Sequence, residues 1–242
     1  MIKKIINDEL RNLVSKTAQE YDIKYSSMLL QIAINKVLGR EQLVTDGIIG
    51  NLTLLQAITL DYKKIIENYK VNEQKLLTIN PYSRVGKNLK GIKGIVVHWV
   101  ANTNSTGIAN RNFFENRKLG KEGYGSAHYI IGLKGETIQC IPDNEIAYHV
   151  GAKSYTMLAQ KRFNSIPNSY TIGIECCHIK DNGEMSKETY ITLVGLVKNL
   201  MKKYNLTADD VFLHFDITGK ICHKWFIDNK EEWKNFKIEL TK

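Results

Sequence analysis

The chain has 242 residues, 43% of them hydrophobic, enough to build a substantial core in one large or two smaller domains. No apolar run approaches the ~20 residues that span a bilayer, and three prolines without a low-complexity tract argue against disorder. The formal charge is +9, and seven of those nine surplus charges lie beyond residue 75; this favours a polyanionic partner, although the scattered lysines form no aromatic-interleaved motif of a nucleic-acid module.

The opening "MIKKIINDELRNLVSK" is interrupted by charge before a hydrophobic region builds, which predicts a chain without a secretory signal, made and first kept in the cytoplasm. Four cysteines are too few for a disulfide framework. Adjacent Cys176 and Cys177 would face opposite sides of a strand, as small buried hydrophobes.

The first 75 residues read as a small helical domain. In "SSMLLQIAINKVLGR" Ser26 is placed to cap a helix carrying Leu29, Leu30, Ile34 and Leu38, and Gly39 to stop it. A second helix is expected through "LTLLQAITLDYKKIIENY", with Leu55, Ile58, Tyr62, Ile65 and Tyr69 on one face. Between them, "TDGIIGNLT" resembles the Asp-Gly-x-x-Gly-x-x-Thr turn of small helical peptidoglycan-binding modules, with Asn51 where that family often has proline. The stretch from Lys70 to Gly91 loses helical periodicity and reads as a linker into a second domain, residues 76–242.

From residue 92 the texture changes. "IKGIVVHWV" is a short apolar run expected of a strand buried on both faces. "NRNFFENRKLG" reads as a short helix, and "SAHYIIGLKGETIQCI" as a hairpin around Lys134-Gly135. "YTIGIECC" alternates, with Ile172 and Ile174 on one face and Thr171, Gly173 and Glu175 on the other. A long amphipathic helix follows Ser186, then a brief strand "VFLH" and a closing helix with Trp233 and Phe236. Irregular alternation of strands and helices with one hairpin predicts an α/β fold, a mixed central sheet flanked by helices.

A catalytic zinc needs three protein ligands and one open position. His98 on "GIVVHW", with His214 and Cys222 bracketing "HFDITGKIC", offers such a set, and a thiolate favours zinc over magnesium or calcium. Taken alone, the His-x7-Cys spacing is also what a random pair would show. Glu175, mid-strand among apolar residues, is costly to bury unless it is paired or lies at the lip of a site. It reads either as a salt-bridged structural glutamate or as a general base.

Four separated segments, "NPYSRVGKNLKGIKGIVVHWVANTNSTGIANRNFFEN", "SAHYIIGLKGETIQCIPDNEIAYHVG", "YTIGIECC" and "LHFDITGKICHKWF", resemble in order the zinc-dependent N-acetylmuramoyl-L-alanine amidases of the type-2 family. That family shares its fold with T7 lysozyme and the peptidoglycan recognition proteins. The resemblance implies one zinc ion held by His98, His214 and Cys222. It also implies Glu175 as general base, Lys220 as a catalytic residue helping to stabilise the oxyanion rather than a plain exposed loop lysine, and His149 as either lining the substrate groove or structural. The implied reaction is hydrolysis of the amide between N-acetylmuramic acid and L-alanine in peptidoglycan. Without a leader, this suits an endolysin of a phage or prophage of a Gram-positive host, released to the wall after a holin opens the membrane, its basic surface meeting anionic wall polymers.

Two departures stand out. Ala127 occupies the place where some relatives carry a catalytic tyrosine, so more rests on Glu175; His223 follows the cysteine where proline is usual. Adjacent side chains rarely reach one ion together, so His223 is not expected as a fourth ligand, and His128 and His178 have no assigned role. The alternative is a non-catalytic peptidoglycan recognition protein, a class that lacks the zinc cysteine. Charge alone suggests a third, a zinc-stabilised nucleic-acid binder; no nucleic-acid partner and no membrane insertion are expected.

Overall fold

A computed structural model describes residues 8, 10–16, 23–60, 64–65 and 72–242, without the side chains of Ile58 and Asn72. Six strands form the main sheet: β1 (Asn72–Gln74), β3 (Gly94–Trp99), β4 (Tyr129–Ile131), β5 (Thr137–Gln139), β7 (Thr171–Cys176) and β8 (Val211–Leu213). Their order is β1-β5-β4-β7-β3-β8, and only the β4–β5 hairpin is antiparallel. The hairpin turns at Gly135 (φ +78), as its sequence predicts. A separate pair joins β2 (Arg84–Asn88) to β6 (Glu145–Ala147). The mixed sheet flanked by helices is the expected class.

Alternation along the central strands makes two different faces. Ile95, Val97, Ile172, Ile174, Cys176, Val211 and Leu213 face a large core. That core is closed by α5 (Lys187–Tyr204), which follows Ser186 as expected and is capped by its side chain, and by Phe236 of α8 (Lys230–Thr241). The opposite face holds Val96, His98, Thr171, Gly173 and Glu175. It is covered in part by Phe114 of α3 (Gly107–Asn116) and by Ala159 and Phe163 of α4 (Met157–Phe163). Cys176 and Cys177 fall in different clusters on the two sides, and all four cysteines are free and buried.

Towards the N-terminus, α1 spans Ile23–Leu38 and α2 spans Asn51–Thr59. Gly39, at φ +68, ends α1 as expected. Ser26, however, is buried within the helix, which starts three residues earlier, so it is not the cap. On α2 the inward residues are Thr53 and Ala57, whereas Leu55 is 54% exposed. The helix ends at Thr59; Tyr62 and Tyr69 lie outside the described residues, and Ile65 is buried. The stretch expected as a linker supplies β1 and β2, elements too short to show a period.

Helix α1 lies against α5, where Leu29, Leu30 and Ile34 join Leu193 and Val197 in one continuous core. Lys36 pairs with Glu188 at 2.8 Å, and the Tyr25 hydroxyl donates to Glu239 at 2.6 Å. Leu30 is fully enclosed, so L30A is expected to cost about 2–5 kcal/mol. With a shared core, calorimetry is expected to show one transition moving as a whole; an unchanged main transition beside a separate early one would contradict the shared core. Among the described residues no helix is long and apolar enough to cross a membrane.

Candidate metal centre and active site

Parallel strands bring their carboxyl ends to the same edge of a sheet, where open α/β sheets bind ligands. His98, next to last on β3, is in register with Glu175 on β7. On the other side Val97 of β3 pairs with Leu213, the last residue of β8, so His214 emerges beside His98. His214 begins a short helix, α6 (His214–Thr218). Asp216 fixes that start, its Oδ2 accepting the Leu213 N–H at 2.8 Å. Gly219, at φ +75, ends the helix and turns the chain back towards Cys222. The link between His214 and Cys222 is therefore one helical turn and its glycine stop.

These elements place the three predicted ligands together. His98 Nδ1 lies 3.1 Å from His214 Nδ1 and 3.7 Å from Cys222 Sγ, and the three donor atoms lie within 4.8 Å of one another. Tetrahedral zinc with ordinary bond lengths separates two nitrogens by about 3.3 Å and a nitrogen from a sulfur by about 3.6 Å. The donor set is thus sized for one zinc-like ion, and its sulfur and two imidazoles are the ligands such an ion prefers. All three residues are buried. Burial, reinforced by the neighbouring His214 and His149 rings, holds His98 well below the usual histidine range; burial, with the Lys220 charge, lowers His214 to about 4. Both imidazoles are therefore neutral and able to bind a cation. The Cys222 thiol is pushed up to about 12, first by burial and then by Glu175, so it keeps its proton until a cation displaces it.

Glu175 sits at the lip, half-buried as a residue but with Oε2 enclosed and without a hydrogen-bond partner. Burial pushes its carboxyl up to about 8, opposed by the Lys220 charge. Among the described residues no salt bridge to it is formed, and Oε2 has no hydrogen-bond partner, so the structural-glutamate alternative has no partner there to support it. Lys220 is exposed, and its positive charge is felt at His98, Glu175, His214 and Cys222.

His149 is placed differently from the groove-lining position, one of the two that the family resemblance leaves open. It is buried behind His98, with Nδ1 3.0 Å from His98 Nε2. His128 and His178 take structural places. The first accepts the Gly173 N–H and contacts the Glu145 carbonyl at 2.9 Å; the second stacks on Trp99 between the carbonyls of Val100 and Lys180.

Ala127 is fully buried. His223 is buried and stacked on Phe226 of α7 (Lys224–Asp228), and it is not part of the donor cluster. Its φ of +62 is closed to proline, whose ring fixes φ near −65°, so the loop here has its own backbone path. Sequence reasoning missed Asp216, Thr171 and Gly173 as site residues. The last two share the Glu175 face in the Thr-Ile-Gly-Ile-Glu alternation, which was the signal available.

Comparison with known proteins points the same way. The profile of a family described as N-acetylmuramoyl-L-alanine amidase matches residues 88–230, more than half of the chain and all of the donor cluster. A probable N-acetylmuramoyl-L-alanine amidase of Bacillus licheniformis is 34% identical over 159 residues, 66% of this chain and 42% of that protein. The amidase BlyA of Bacillus subtilis is 32% identical over 170 residues, 66% of this chain and 44% of its own length. The chain thus spans less than half the length of these curated relatives. A mutant endolysin from Bacillus subtilis superimposes with a TM-score of 0.56 at 25% identity, covering 69% of this chain and 99% of that one. The catalytic domain of XlyA, at 23% identity and a TM-score of 0.54, has the same fold. With the profile spanning strand β3 to helix α7 and every donor between them, the chain belongs to the type-2 N-acetylmuramoyl-L-alanine amidase family.

Proposed function

We propose that this protein is a zinc-dependent hydrolase that cuts the amide between the lactyl group of N-acetylmuramic acid and L-alanine in peptidoglycan. The observation that carries this reading is the buried His98–His214–Cys222 cluster at the strand ends, with the unpaired carboxyl of Glu175 beside it. Zinc held by those three residues supplies Lewis acidity, lowering the pKa of water toward about 7 and polarising a carbonyl. Glu175 takes a proton from the attacking water as its oxygen bonds to the lactyl carbonyl carbon. The Lys220 charge favours the negative oxygen that develops. As the carbon–nitrogen bond breaks, Glu175 returns the proton to the departing nitrogen, leaving a lactyl carboxyl group and a free L-alanine amino terminus. Burial raises this carboxyl in the metal-free protein, and a cation beside it would lower it again, towards the range in which it can both take up and release a proton.

Mass spectrometry of digested cell walls tests the choice of bond. Glycan strands with intact lactyl groups and peptides with new L-alanine amino termini are expected; broken glycosidic bonds or a different peptide cut would contradict it. A recognition-only role is not favoured, because Cys222 and Glu175 are both in place.

Residues 1–75 are proposed to contribute wall binding, and the protein to act as an endolysin on the wall after release from the cytoplasm. The basic surplus beyond residue 75 is proposed to draw the protein to anionic wall polymers. Lysis of purified walls is then expected to weaken between low and physiological salt, as the screening length falls from about 30 Å at 0.01 M to about 8 Å. A salt-independent rate would remove that role.

A further inference from the structure

His98 has two ring nitrogens. One belongs to the donor cluster, and the other, Nε2, meets His149 Nδ1 at 3.0 Å with the two rings edge to face. Behind it, His149 Nε2 lies 3.2 Å from the Thr171 carbonyl oxygen and 3.1 Å from Thr171 Oγ1. The Thr171 hydroxyl donates its own proton to the Pro167 carbonyl at 2.8 Å.

This chain of contacts has a direction. Carbonyl oxygens only accept. Thr171 has committed its hydroxyl proton to Pro167, so Oγ1 can only accept from His149. A bare nitrogen at His149 Nε2 would face two oxygen lone pairs within 3.2 Å, so Nε2 carries the ring proton. His149 Nδ1 is then the acceptor, which puts the His98 proton on Nε2. His98 Nδ1 is left with its lone pair aimed at His214 Nδ1 and Cys222 Sγ. The tautomer of a residue at the centre is therefore set by two backbone carbonyls through a second histidine.

The rest of the surroundings fixes the ring that transmits this. The Asn168 side chain accepts the His149 and Val150 N–H groups at 3.1 and 2.9 Å. Gly173 leaves space for the ring: a Cβ there would lie 2.5 Å from His149 Cγ and 2.7 Å from Nδ1.

We propose that His149, oriented by Thr171 and accommodated by Gly173, is a positioning residue that locks His98 in its Nε2–H tautomer and aims Nδ1 at the metal. This rests on the zinc reading of the centre. It assigns His149 a place behind the ligand rather than on the substrate.

The direct test is nitrogen–proton correlation NMR on the unaltered zinc-free protein. Both rings are expected as Nε2–H tautomers, and a proton on Nδ1 of either would overturn the proposal. Chelator competition supplies the second measurement. H149F removes the acceptor and is expected to weaken zinc binding about 10–100-fold. H149Q, whose side-chain oxygen can accept from His98 Nε2–H, is expected to recover most of that loss. Equal zinc affinity in H149F and the unaltered protein would overturn the proposal, as would equal weakening in both variants. Failure of the unaltered protein to bind zinc would instead contradict the metal centre itself, and the tautomers would still decide the direction of the chain. Melting temperatures of the zinc-free variants show whether either change acts through folding.

Discussion

E175Q is expected to lower kcat for peptidoglycan cleavage by about 10²–10⁴-fold while leaving zinc content at the unaltered level. Glutamine has the size and shape of the carboxyl but can neither take a proton from water nor return one to the leaving nitrogen. Glu175 is not among the donor atoms, so the metal should remain. A variant with full zinc and near-normal rate would remove Glu175 from the mechanism. The same substitution carries a stability prediction for the metal-free protein. The carboxyl has an ordinary value of 4.5 and is pushed up to about 8 by burial. Between those values the folded state binds more protons than the unfolded one, so stability falls as pH rises from about 4.5 to 8. E175Q removes that fall. Thermal melts of both metal-free proteins across this range should diverge as pH rises, with the glutamine variant higher at pH 8. Parallel melting curves would mean that the carboxyl is not held protonated by burial.

C222S is expected to abolish stoichiometric zinc binding and to lower hydrolysis by about 10³-fold. Metal ions contribute several kcal/mol of transition-state charge stabilisation, and a loss of about 4 kcal/mol corresponds to that factor. Serine preserves the approximate volume but substitutes a hydroxyl that does not ionise as a thiol does beside a cation. The buried Cys222 thiol, pushed up to about 12, is uncharged in the metal-free protein. Replacing it should therefore change the metal-free melting temperature little, which separates loss of a ligand from loss of fold. Elemental analysis after dialysis and a rate measurement check both parts; retained zinc with retained activity would contradict the assignment of Cys222.

The elements that could be read from the sequence were those whose signal is local. β3 is an apolar run long enough to need burial, β7 alternates between two faces, the β4–β5 hairpin has its glycine, and α5 has Ser186 before a long amphipathic stretch. Strand β1 has three residues and takes its identity from pairing with β5, which no period records. Ser26 has the right chemistry for a cap, but the helix continues through it because that face of α1 is buried. The ligand set became readable only when His98 and Glu175 were considered with "HFDITGKIC", since the parallel register that unites them is tertiary. His149 shows the opposite limit. Family resemblance picked out the residue, but its orientation toward His98 depends on Asn168 and on the space left by Gly173.

The central claim is that one zinc ion, held by His98, His214 and Cys222, is required for the cleavage. The most direct measurement is a titration of the chelated protein with zinc, following release of L-alanine amino termini from purified peptidoglycan. Activity is expected to rise from background and level off at one zinc per chain. Full activity in the metal-free protein, or a plateau at any other stoichiometry, would contradict it.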